Sequence, residues 1–379
     1  MLIGNAVVGQ SGGPTAAINA TLAGVIRGAL ERPDAIKTLY GMRNGIEGLL
    51  REDLIDLNAV FSGNEHKITT LEHTPAAALG SCRKKLPTVA DNKEFYENLI
   101  NIFKKYDIRY FFYIGGNDSM DTVAKLSEYT TMCDYEMRII GVPKTIDNDV
   151  SYADITFGFT TALGVICESV DRVRTTAFSH DRVQILEVMG RNCGWLALEG
   201  GLSGGADIIL LPEIPYDVNK IVEVIKARDA KGQNDTVIVV SEGAKPKDGD
   251  VVIKKIVADS ADTIRLGGIG DQLASQLEVL LGGKEVRATN IGHTQRGGET
   301  CQYDRSLCTK LGSLAVDALF EGKSGEMVTI YNATPQTVSL EKVLGSGATG
   351  ETSKGGSHNV DPNGFVVKTA RNTGISFGD

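Results

Sequence analysis

The stretch Gly141–Asp149, read GVPKTIDND, sets a lysine, a threonine and two aspartates close together. It follows the apolar run Met137–Val142, which has the character of a buried strand. Pro143 has no backbone N–H to give a ladder and is expected to end that strand. The polar residues then fall at the carboxyl end of a sheet strand, where open α/β sheets bind ligands. Lys144 offers a point positive charge, Thr145 a hydroxyl, and Asp147 and Asp149 a base and a metal partner. Charge neutralisation beside a carboxylate that takes up a proton is what phosphoryl transfer requires. Taken alone, the stretch also reads as a polar strand-to-helix loop with an Asx cap.

Other loops of the same kind must position these groups. Leu2–Val8 reads as a strand, QSGGPT with Gly12 and Gly13 as a loop, and Ala16–Leu30 as a helix. Such a strand–glycine loop–helix unit offers backbone N–H groups to an anion. Tyr106–Ile114 is the strongest strand in the chain. It runs into GGNDSMDT, with Asn117, Asp118 and Ser119 at the tip, and a helix to about Tyr129. If the three strands are parallel neighbours, their loops open on one edge of the sheet. Thr74–Lys85 is irregular and ends in Arg83, Lys84 and Lys85. From Thr160 onwards the alternation repeats. Helix Thr160–Thr176 precedes strand Arg182–Met189, and a helix near Trp195–Leu202 precedes strand Asp207–Leu211. Helix Val218–Arg228 and strand Thr236–Ser241 follow, then helix Ile269–Leu281, strand Glu285–Ile291 and helix Arg305–Phe320. The pattern predicts an α/β protein with a doubly wound, mostly parallel sheet built twice.

At 379 residues the chain exceeds one ordinary core, which predicts two domains. Its 44 glycines suit many tight strand-to-helix turns. A net charge of −9 gives no support to a nucleic-acid or anionic-membrane partner. Six scattered cysteines without metal spacing suit reduced thiols in the cytoplasm. No signal peptide and no membrane helix are expected. The segment Gly345–Gly364 is rich in Gly, Ser and Thr and predicts a flexible or long surface loop. Its GxGxxG at Gly345–Gly350 lacks a following helix, and Gly322-Lys323-Ser324 lacks the first glycine of a Walker loop. Neither is read as a nucleotide site.

Together with EVMGRNCGWLAL at Glu187–Leu198, SHDR at Ser179–Arg182, SEG at Ser241–Gly243 and RATNIGHTQRGG at Arg287–Gly298, these loops resemble the phosphofructokinases over about the first 320 residues. The resemblance implies two doubly wound sheets with the active site in the cleft between them. A donor-binding domain would comprise residues 1–157 and about 293–325, a sugar-phosphate domain 158–292, and a C-terminal extension 326–379. Asp147 would be the general base at the 1-hydroxyl of fructose 6-phosphate, with Asp149 helping to place metal or base. Thr145, Arg83 and Arg191 would act on the transferring phosphoryl group. Gly12, Gly13, Asn117, Asp118 and Ser119 would bind the donor. Met189, Gly190 and Glu242 would hold the sugar, and Arg182, Arg287, His293 and Arg296 its 6-phosphate. In the family the first two of these arginines come from a neighbouring subunit, which implies a homodimer or homotetramer.

The donor loops depart from the ATP-dependent pattern, which reads GGDGS and has Gly before TIDND. Here Asp118 and Lys144 stand at those places, as in the pyrophosphate-dependent branch. Two like charges about 4 Å apart at an effective dielectric of 20 cost on the order of 4 kcal/mol, enough to disfavour the α-phosphate of ATP. The reading is therefore reversible transfer from pyrophosphate with Mg²⁺, with an ATP-dependent enzyme or a sedoheptulose 7-phosphate kinase as alternatives. Asn117, where the family has Asp, weakens the metal set, leaving Asn117 and Asp118 as the candidate ligands.

Overall fold

The structure, a computed structural model, describes residues 2–256, 264–345 and 358–379. It divides into two compact units. The first comprises Met1–Ile146, Val150–Thr160 and Arg296–Ser357, and the second Asp147–Asp149, Thr161–Gln295 and His358–Asp379. Chain order gives β1 (Gly4–Gln10), α1 (Ile18–Leu30), β2 (Ile36–Met42), α2 (Gly45–Leu50), β3 (Leu54–Asp56), α3 (Leu57–Phe61), α4 (Glu65–His73), α5 (Lys93–Lys105), β4 (Ile108–Gly115), α6 (Asn117–Met132), β5 (Arg138–Thr145) and β6 (Phe157–Gly158). Then come α7 (Phe159–Ser179), β7 (Val183–Val188), α8 (Trp195–Ser203), β8 (Ile208–Leu210), α9 (Val218–Asp229), β9 (Thr236–Ser241), β10 (Ile253–Ile256), β11 (Ile264–Leu266), α10 (Ile269–Leu280), β12 (Val286–Asn290) and a 3-10 helix, Gly292–Arg296. The last elements are α11 (Gln302–Phe320), β13 (Glu326–Tyr331), β14 (Thr334–Ser339), α12 (Leu340–Leu344) and α13 (Phe365–Asn372).

The sheet of the first unit has the order β14-β13-β5-β4-β1-β2-β3, with β6 beside β5. Strands β13, β5, β4, β1 and β2 are parallel, and only the edge strands β14 and β3 run against them. Side chains alternate between two cores, as period-two geometry demands. Ala6, Val8, Phe112, Ile114 and Val142 enter one core, and Val7, Phe111, Tyr113 and Ile139 the other. Burial on both faces explains why β4 reads as a nearly continuous apolar run. Helix α5 covers one face with Tyr96, Leu99, Ile100 and Phe103, and Asn92 caps it by accepting from the N–H of Phe95 at 3.0 Å. Because β1, β4 and β5 are adjacent and parallel, their three following loops do leave from one sheet edge.

Strand β5 does not end at Pro143. Pro143 pairs with Gly115 of β4, and the strand then continues through Lys144 and Thr145 opposite Phe157 and Gly158 of β6. A new parallel partner takes over where the proline leaves the ladder short of a donor. The carbonyl of Thr145 also accepts from the Thr156 hydroxyl at 2.8 Å.

In the second unit four parallel strands take the order β12-β7-β9-β8, and β10 and β11 form an antiparallel pair. The predicted α/β fold with two doubly wound, mostly parallel sheets is the one observed. Residues 326–345 complete one edge of the first sheet, whereas 358–379 belong to the second unit, where Ile208 bridges to Ser376. Most of the Gly345–Gly364 segment lies outside the described residues, as does nearly all of its GxGxxG. Among the described residues no helix is long and apolar enough to cross a membrane.

Candidate active site

In the first unit, three loops are tied together by short polar contacts. Gly12 adopts φ +79°, a left-handed conformation that suits glycine, and its N–H donates to the carbonyl of Cys82 at 2.9 Å. The Ser81 hydroxyl donates to the Gly12 carbonyl at 2.6 Å, which fixes the segment carrying Arg83 against the first loop. Ser119 donates to Ser11 at 3.0 Å and joins the start of α6 to the same place. Gly115 cannot carry a side chain here, since a Cβ would stand 1.9 Å from the Ser119 hydroxyl.

Lys144 lies within this group of loops. Its side chain is 2% exposed, and its ammonium donates to the carbonyl of Gly13. A Cβ on Gly12 would come 3.0 Å from the same Nζ. A long cation is thus held among these loops, where glycines leave room for it. Arg296 is in this unit too, its guanidinium packed where a Cβ on Gly13 would meet it at 2.4 Å. Asn117 and Asp118 are exposed in the first turn of α6, whose cap, Gly116, supplies no side-chain acceptor. Asp118 forms an ion pair with Lys85 at 3.1 Å.

Among the described residues no group of three His, Cys, Asp or Glu could hold a metal ion. One carboxylate and one amide at an open helix start fit a cation that arrives with phosphate oxygens and keeps its waters, as Mg²⁺ does. Asp118 and Asn117 are the residues that would hold it.

The chain passes into the second unit at Asp147 and leaves it after Asp149. Between them Asn148 takes φ +55°. Glu242 follows β9, and its N–H donates to the Val188 carbonyl at 2.9 Å. Its carboxyl is pushed up to about 7, first by burial, then by Asp147 and Glu187, with Arg191 opposing. Three charged groups of the candidate site, Glu242, Asp147 and Arg191, therefore share one electrostatic neighbourhood with Glu187. Met189 donates its N–H to Gln295 at 3.3 Å, and the Gly190 carbonyl accepts from Ser241 at 2.5 Å and from the Gly243 N–H at 3.1 Å. Arg191 is half-buried and reaches the carbonyl of Ile264, and His293 is exposed on the 3-10 helix.

Arg182 and Arg287 are placed elsewhere. Arg182 precedes β7 and Arg287 lies near the start of β12, and both pair with Glu285, the Arg287 contact being 2.7 Å. Hydrogen bonds from Arg182 and Arg287 hold the Glu285 carboxyl below its ordinary range. Met189 and His293 follow the other ends of those strands. At about 3.3 Å per residue, Arg182 and Met189 lie roughly 20 Å apart along β7. The two arginines sit together, at the sheet edge opposite to the sugar-binding candidates of their own unit.

Two supports were not read from the sequence. Glu187 is 1% exposed and accepts from the N–H groups of Gly268 (3.0 Å) and Gly270 (2.8 Å) and from Asn290 (2.5 Å). Gly268 caps α10 and has no side chain to offer, so a strand carboxylate satisfies that helix start instead. The signal was there, a charged glutamate in a buried strand whose other residues, Gln184 apart, are apolar. The second is His358, which touches the loop carrying Asp147 and Asp149.

The phosphofructokinase family model matches residues 5–319. The chain belongs to the phosphofructokinase family. It is 43% identical over 378 residues to the ATP-dependent 6-phosphofructokinase 2 of Clostridium perfringens (strain 13 / Type A), covering 97% of this chain and 96% of that protein. It is 37% identical over 320 residues to the pyrophosphate–fructose 6-phosphate 1-phosphotransferase of Streptomyces coelicolor, covering 84% and 88%. The crystal structure of a pyrophosphate-dependent phosphofructokinase from Marinobacter aquaeolei superposes with a TM-score of 0.79 at 33% identity, covering 95% of this chain and 86% of that one. Phosphofructokinase relatives named for either donor thus resemble it over most of its length.

Proposed function

We propose that this phosphofructokinase transfers a phosphoryl group between pyrophosphate and the 1-hydroxyl of fructose 6-phosphate, reversibly, giving fructose 1,6-bisphosphate and orthophosphate. The observation that carries the donor choice is Lys144, a buried cation held against the Gly12–Gly13 turn. A compact, highly charged donor suits a fixed point charge in a low-dielectric setting. Asp118 adds a carboxylate where a longer nucleotide would bring its α-phosphate. Relatives named for ATP carry the rival reading, and these two side chains argue against it.

In the reaction Asp147 takes the proton of the 1-hydroxyl as that oxygen bonds to the transferring phosphorus. The bridging P–O bond of pyrophosphate breaks and orthophosphate leaves with the electron pair. Lys144, Arg83 and Arg191 stabilise the charge on the phosphoryl oxygens, and Thr145 orients them. Asp118 and Asn117 would hold a Mg²⁺ ion arriving with the donor, which would supply further charge neutralisation. Glu242 accepts from sugar hydroxyls beside Met189 and Gly190, and His293 meets the 6-phosphate. Arg182 and Arg287, at the far sheet edge, serve the site of a second copy, so the working enzyme is a homodimer or homotetramer. Arg296, packed beside Gly13, joins His293 in holding the 6-phosphate. All six cysteines are free thiols, which suits the cytoplasm.

The test is an assay of the purified protein with fructose 6-phosphate and Mg²⁺, with pyrophosphate or ATP as donor. Product from pyrophosphate alone supports the reading. Turnover with ATP alone overturns the donor assignment. Failure with both donors, but turnover of sedoheptulose 7-phosphate, moves the acceptor.

A further inference from the structure

The carbonyls of Asp147, Asn148 and Asp149 are all engaged by side chains and backbone from elsewhere in the second unit. Cys193 Sγ approaches the Asp147 carbonyl at 3.7 Å, His358 Nδ1 lies 3.1 Å from that of Asn148, and the His358 N–H donates to that of Asp149 at 3.0 Å. A carbonyl can only accept, so Nδ1 carries the imidazole proton. His358 is itself anchored. Its carbonyl accepts from Trp195 Nε1 at 2.7 Å and from Cys193 Sγ at 3.4 Å, and the Trp195 and His358 rings pack at a tilt of 31° with centroids 4.9 Å apart. Two residues on, the N–H of the buried Val360 donates to Glu213 Oε1 at 3.0 Å, an oxygen that also accepts from the Gly194 N–H at 3.0 Å.

These contacts lie about 210 residues from the loop in sequence, so they are made only at the cost of closing a long chain. The loop they hold includes a non-glycine residue at positive φ, a conformation that persists only when its surroundings fix it. We propose that His358–Val360 is a strap that fixes the catalytic loop, with His358 as its positioning residue and Trp195 and Glu213 as its anchors. The strap sets the direction of the Asp147 and Asp149 carboxylates without touching substrate. This role rests on Asp147 being the general base.

Trp195 is the chain's sole tryptophan, so its emission reports the strap independently of catalysis. The variants are His358→Ala, His358→Asn and Trp195→Phe in the full chain, assayed with fructose 6-phosphate and both donors. A loop misplaced by an ångström costs about a hundredfold in rate, so His358→Ala is expected to lower kcat by about 10- to 100-fold. KM should stay within about threefold, and Trp195 emission should shift red with greater acrylamide quenching. His358→Asn, whose amide N–H reaches the same carbonyl, should recover most of the lost kcat. Trp195→Phe keeps the ring and loses the donor, and carries the same kcat–KM split if His358→Ala does not fold. An active wild-type enzyme with an indifferent His358→Ala overturns the strap alone. A kcat loss that His358→Asn leaves uncorrected, in step with a fallen Tm, also overturns it. A wild-type protein inactive with every donor overturns the function and, with it, the strap's catalytic role.

Discussion

The Lys85 ammonium stands 3.1 Å from the Asp118 carboxylate, with the two side chains 53% and 65% exposed. A pair this open to water is weak, so Lys85 leaves Asp118 able to repel a second anion. Asp118→Gly removes that repulsion. It is expected to raise kcat/KM for ATP by at least about tenfold, a fraction of the full like-charge cost at this exposed position. Activity with pyrophosphate should fall, because the same carboxylate is a candidate Mg²⁺ ligand, but remain measurable. Steady-state kinetics with both donors decides, and retained pyrophosphate turnover with no gain for ATP overturns the charge argument.

Lys144 makes a second test of donor choice. Lys144→Met keeps the stem and removes the charge, so it is expected to lower kcat/KM for pyrophosphate by about a hundredfold or more. The Gly13 carbonyl loses its donor, a cost of about 1–3 kcal/mol, small enough for the fold to survive. Circular dichroism should be unchanged. Full pyrophosphate activity in this variant would falsify the role given to the buried cation.

Glu242 predicts a pH effect on stability. Its folded carboxyl titrates at about 7, against 4.5 for the ordinary group, because burial and the neighbouring Asp147 and Glu187 disfavour the charge. Between those values the folded chain binds the extra proton. Stability relative to a chain lacking this group is therefore fully present below about 4.5 and falls as pH rises through 7. The loss is on the order of 3 kcal/mol at most. Glu242→Gln should flatten the Tm profile between pH 5 and 8 and exceed wild type at the upper end. Parallel Tm curves for the two proteins would rule this out.

The parts legible in the sequence are those whose signal is local. β4 and β9 are buried on both faces and read as apolar runs, and Asn92 marks the start of α5. Pro143 misled because a strand's end depends on its neighbours, and β6 lies a dozen residues on. Strand β14 carries polar residues and Pro335 at the edge of the sheet, where neither is costly, so it has no strand signature. For the candidate site, residue types and motifs named the charged groups whose surroundings the structure describes. Arg296 against Gly13 and His358 on the Asp147 loop are contacts across long separations, and no spacing announces them. Gly268 as a helix cap hid the need that Glu187 meets.

Arg182 and Arg287 give the most decisive prediction, because they pair with Glu285 at the end of the sheet away from Met189 and Gly190, the candidate sugar contacts. Asp147→Asn should lower kcat by about 10²- to 10⁴-fold through loss of the base. Arg287→Ala should raise KM for fructose 6-phosphate by at least about tenfold, since a charge-assisted guanidinium–phosphate pair is lost. If each site draws Asp147 from one copy and Arg287 from another, co-expression of the two variants restores intact sites. With equal, random mixing in a closed symmetric assembly, about a quarter of the sites receive both native residues. Activity at low fructose 6-phosphate should then rise to about a quarter of wild type, well above either variant alone. Sedimentation of the mixture checks that hybrids form. Hybrids that form and stay no more active than the average of their parents would confine both residues to one chain's chemistry and remove the shared site.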